Sequence, residues 1–61
     1  MDSDRQSIAE RVRQELVRAA LTAYEDAALR GLCCEGAWEV AVAAMRRADL
    51  SPILDLHRSD R

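Results

Sequence analysis

A helical periodicity runs unbroken through the first half of this chain and then meets a glycine. Ile8, Val12, Leu16, Ala19, Ala20, Ala23 and Ala27 recur at the three- and four-residue spacing of a single helix face. Arg11, Glu15, Arg18, Thr22 and Glu25 fall on the opposite side. Ser3, followed three residues on by Gln6, has the form of a capping box, and Asp2 and Asp4 suit the positive end of the helix dipole. Past Leu16 the apolar arc widens as Val17, Leu21, Tyr24 and Ala28 join it, and a helix apolar over more than half its girth touches more than one neighbour. The pattern predicts helix one over residues 4–30, about 40 Å long at 1.5 Å per residue.

Arg30 in the last turn, Gly31 where a left-handed residue is favoured, and apolar Leu32 after it have the form of a Schellman ending. Cys33, Cys34, Glu35 and Gly36 then make either a short connection or the first turn of helix two, predicted over 34–48. Ala37, Trp38, Val40, Ala41, Ala44, Met45 and Ala48 are expected on its inner face, with Glu39, Ala43, Arg46 and Arg47 outside. The short link makes the two helices antiparallel neighbours. Ser51 reads as an N-cap with Pro52 at the first helical position, opening a short helix over 52–57 that ends in a frayed tail at 58–61. The expected fold is all-α: one small domain, a helical hairpin plus a short C-terminal helix.

Length bounds what this fold can achieve. A chain of 61 residues buries only about 60% of its unfolded surface, and at this size apolar burial barely offsets ordering entropy. Thirteen residues are Ile, Val or Leu and eleven are Ala, which bury little each, so a deep enzymatic pocket is disfavoured. Helix one also outruns helix two, leaving Ile8 and Val12 without a neighbour unless the tail reaches them. A second copy is the natural cover, and the expectation is a homodimeric helical bundle with tight Ala-lined crossings.

Eleven acids against nine bases give a net charge of −2, and the scattered arginines form no basic stripe of the kind that grips nucleic acid. The use of Arg to the exclusion of Lys, with the alanine excess, points to a GC-rich bacterial genome. The longest clean apolar run, Val40 to Met45, is far short of a membrane span, and the acidic start lacks a secretory pattern. The expected location is the cytoplasm, with both cysteines reduced.

Few residues are candidates for chemistry. Cys33 and Cys34 at a helix N-terminus are candidate redox thiols; the favoured reading is that they fill space as small hydrophobes where the helices meet. Cys33, Cys34, Glu35 and His57 are the candidates for a metal, but they lack the paired spacing of structural zinc sites, so no metal or other cofactor is expected. Glu25 and Asp26 point about 100° apart on a helix, and Glu35 with Glu39 suits the dipole of helix two. No phosphate loop or nucleophile–base spacing is present. Trp38 is expected in the core, with an interface anchor as the alternative. The interface candidates are Ile8, Val12, Leu16, Trp38, Leu50, Ile53 and Leu54. The resulting expectation is a non-enzymatic accessory or regulatory protein acting through helix-mediated contact, with itself or with a larger protein; the other reading is a thiol-based redox or metal-responsive protein.

Overall fold

A computed structural model of the chain describes the backbone from Asp2 to Arg58 and the side chains from Arg5 to Asp55. The described residues form three helices, α1 (Asp2–Leu29), α2 (Cys34–Arg47) and α3 (Ser51–Arg58), and no strand. The architecture is an all-α hairpin of α1 and α2, with α3 folded back onto α1. α1 begins ahead of the expected start and includes Ser3; the side chains of Asp2, Ser3 and Asp4 lie outside the described residues, and so does the tail at 59–61.

The turn has the expected Schellman geometry. Gly31 sits at φ +94°, the Leu32 N–H donates to the Ala27 carbonyl at 3.0 Å and the Gly31 N–H to the Ala28 carbonyl at 3.0 Å. These two bonds occupy carbonyls that would otherwise be orphaned at the helix end. α2 then starts at once. Cys33 is its N-cap in an extended conformation, with its sulfur accepting from the Gly36 N–H at 3.5 Å and its carbonyl accepting from the Ala37 N–H at 2.8 Å. The stretch from Cys34 to Gly36 is therefore the first turn of helix two, and Leu32 packs over Gly36.

α3 starts one residue earlier than its proline signal implies. The Leu50 carbonyl accepts from the Leu54 N–H, so Leu50 caps the helix, with Ser51 at its first position and Pro52 at its second. The Asp49 carboxylate accepts the Ser51 N–H at 3.0 Å and so satisfies one of the free N–H groups of the first turn. Proline is tolerated at the second position because that N–H has no intrahelical partner.

The seam between α1 and α2 is made of alanine. Ala27, Ala37 and Ala41 are each no more than 2% exposed, and no larger side chain is fully buried among the described residues. Small side chains let two helix backbones approach closely, but they remove little apolar area from water. The molecule is correspondingly a rod of 47 × 17 × 14 Å with a radius of gyration of 14.5 Å, against about 10.5 Å for a compact domain of this length.

Trp38 departs from the expected core position, being 60% exposed. It follows Ala37 by one residue, or about 100° around the helix, and a seam narrow enough to enclose alanines has no room for an indole at that angle. Val40, Ala44, Met45 and Ala48 are half-buried, as the inner-face pattern anticipates.

The two glycines test this geometry. Gly31→Ala forces a side chain into a positive-φ position and should cost about 1 kcal/mol. At Gly36 a new Cβ meets Leu32 Cδ2 at 3.4 Å, an ordinary contact, inside a helix where alanine is favoured, so Gly36→Ala should gain about 0.5 kcal/mol. Thermal melts at matched protein concentration read both; equal losses would contradict the helical assignment of Gly36.

Candidate interaction face

Helix spacing sets Val17, Leu21, Tyr24 and Ala28 on one stripe of α1, since each lies three or four residues from the next. Leu21 is 56% and Val17 50% exposed, Ala28 is exposed and Tyr24 half-buried. On α2, Trp38 and the half-buried Val42 lie four apart along a second stripe that begins at Cys34. Across the seam, Cys34 at the start of α2 lies close enough to Tyr24 to raise the tyrosine's pKa. That contact ties the two stripes together. With Ala27, Ala37 and Ala41 in the seam, each stripe lies about 100° onward around its helix, and in an antiparallel pair that turn carries both stripes to the same side of the hairpin.

Beside Trp38 the surface of α2 holds a shallow hollow of about 330 Å³ lined by Trp38, Glu39, Val42, Ala43 and Arg46. The charges along α2 are ordered, with Glu35 in the first turn and Arg46 and Arg47 in the last, where each suits the helix dipole. On α1 the charges pair locally at the surface: Arg13 with Glu10, Arg18 with Glu15 at 2.7 Å and Arg30 with Asp26 at 3.1 Å. The Arg18 hydrogen bond holds the Glu15 carboxyl below its ordinary pKa, and the same bond raises Arg18. Exposed pairs of this kind contribute little to stability.

α3 lies elsewhere on α1. Its Ile53 closes a surface depression with Arg11, Gln14, Glu15 and Arg18, so the tail reaches the N-terminal half of α1 over part of its polar side. The candidates read from the sequence accordingly divide. Ile8, Val12, Leu16, Leu50 and Ile53 are half-buried within the chain. Trp38 and Leu54 are exposed, at 60% and 47%. Val17, Leu21 and Val42 were not singled out as interface residues, although the widening of the apolar arc past Leu16 carried the signal for the first two.

Both cysteines are free and exposed, which overturns their expected role as space-filling core. The alanines already fill the seam, Cys33 stands outside the helix as its cap, and Cys34 lies at the seam's edge beside Tyr24. Among the described residues no group of three or more His, Cys, Asp and Glu side chains is placed to hold a metal; the His57 side chain lies outside the described residues. No helix is long and apolar enough to cross a membrane among the described residues.

Tyr24 reports on the contact between the stripes. The hydrogen bond to Cys34, then the charge of that sulfur, then partial desolvation raise the Tyr24 pKa above its ordinary value. A raised pKa stabilises the fold below about pH 10, and that contribution is lost as pH rises through the folded-state value. In a spectrophotometric titration of the native protein the lone tyrosine should ionise later than in the unfolded chain, and Cys34→Ala should bring the two midpoints closer. An unchanged midpoint in the variant would show that the two side chains do not interact.

Comparison with protein-family models, curated proteins and solved structures found no match for this chain.

Proposed function

We propose that this chain is a small accessory or regulatory protein that acts by helix-mediated contact rather than by catalysis. One observation carries the reading: the fold encloses three alanines while Val17, Leu21 and Trp38 stand at least half exposed on the hairpin. Isolated apolar side chains on a surface are ordinary, whereas a contiguous patch rimmed by charge marks a site of contact. Trp38 has the character of an anchor, a large side chain beside a hollow with Glu39 and Arg46 at its edge. The scattered arginines, three of them engaged by acids one turn away, favour a protein partner over nucleic acid. A cytoplasmic location in a bacterium fits the composition.

The exposure of both thiols favours a second reading, a thiol-based redox or metal-responsive protein using Cys33 and Cys34. The two readings separate in one experiment. A photo-reactive amino acid placed at Leu21 or Trp38, in the chain expressed in its native host, should yield covalent adducts either with another copy or with a larger protein. The same adducts should form when the chain also carries Cys33→Ser and Cys34→Ser. Their absence from the parent chain would overturn the contact reading, and their loss only in the cysteine-free chain would favour the thiol reading.

A further inference from the structure

We propose that the face formed by Val17, Leu21, Tyr24, Trp38 and Val42 seats a second copy of this chain, stacked so that α2 runs antiparallel to the partner's α2. This rests on the contact reading above and names its occupant. The first argument is area. The chain exposes 4968 Å², whereas a compact monomer of its mass exposes about 3,950 Å². The surplus of about 1,000 Å² is spread over the elongated rod, and an interface taking roughly 800 Å² from each partner would remove most of it.

The second argument is charge order. α2 carries Glu35 at one end and Arg46 at the other, so its outer edge is complementary to itself when reversed. A two-fold axis crossing α2 between Val40 and Ala41 brings Glu35 level with the partner's Arg46. The same operation brings Trp38 level with the partner's Ala43, at the hollow that Val42 and Ala43 help to line. The indole and the residues of the hollow thus stand at matching heights along one helix, the register that an isologous pairing of two antiparallel α2 helices requires. The third argument is the match on α1. The stripe from Val17 to Ala28 is centred between Leu21 and Tyr24, so the reversed stripe of a second copy overlays it, with Leu21 level with the partner's Tyr24. The product is a four-helix arrangement in which α3, lying over the polar side of α1, stays clear of the interface.

The test uses the purified full chain, with light scattering for mass and the lone tryptophan as the reporter. On concentration from the low micromolar to the submillimolar range, the mass should double and the Trp38 emission should shift to the blue together. Trp38→Ala should weaken association by roughly thirtyfold or more, the scale of an interface anchor, while the helical circular dichroism at high concentration persists because the indole lies outside the α1–α2 seam. Val42→Glu provides a second disruption with the reporter intact. Glu35→Arg and Arg46→Glu should each weaken the dimer severalfold, and the double reversal should restore it. A chain that remains monomeric throughout overturns the proposal, as does a dimer indifferent to Trp38→Ala and Val42→Glu, or a double reversal without recovery. A monomer in solution whose Leu21 or Trp38 position still cross-links to a larger protein in the host would overturn this pairing and leave the contact reading standing.

Discussion

Close approach of two helix backbones over alanine is the constraint on which the rest of this structure depends. Ala27, Ala37 and Ala41 close the seam between α1 and α2. Methyl side chains permit that proximity and exclude anything larger from the line of contact. The gain in packing comes with little apolar burial, about 25 cal/mol for each Å² removed from water. The hairpin is thus well specified geometrically and weakly supported energetically, and the larger apolar side chains are left at the seam's margins or outside it.

That arrangement links the turn to the exposed face. The Schellman bonds at Gly31 fix the exit from α1, Cys33 caps α2 two residues later, and the short link leaves little freedom in the phase of the second helix. Phase decides which residues point away from the seam. With Ala37 and Ala41 turned inward, Trp38 and Val42 turn outward on the side where Tyr24 meets Cys34. A long α1 and a short α2 leave the N-terminal part of α1 for α3, whose Ile53 lies among the polar residues of that helix. The hairpin's apolar face and its short third helix therefore occupy different sides of α1.

The exposed face gives the hairpin its surface character. Among the described side chains no group of three or more His, Cys, Asp and Glu is placed to hold a metal. What the face contains is an indole beside a hollow, aliphatic side chains on a neighbouring helix, and charges ordered along the rim. In the proposed contact, affinity would come from desolvation of a few large side chains and orientation from the charges. The exposed cysteines sit at the turn end of the same hairpin, Cys33 occupied in capping and Cys34 in contact with Tyr24.

Much of the fold was legible in the linear sequence because its signals are local. Helical spacing from Ile8 onward, glycine at 31 followed by leucine, and proline at 52 each depend on neighbours within one or two turns, and they located three helices and the turn. The exact caps were less legible: α3 opens one residue ahead of the Ser51–Pro52 signal, with the Leu50 carbonyl accepting the Leu54 N–H and the Asp49 carboxylate accepting the Ser51 N–H. The site was legible only in part. Sequence spacing placed Trp38 beside Ala37 on one apolar arc and both cysteines among space-filling groups, since a helical wheel records angle and not the width of the contact. Only the tertiary structure decided that width. Once alanines from both helices set the separation of the backbones, a difference of about 100° was enough to turn Trp38 from core to surface.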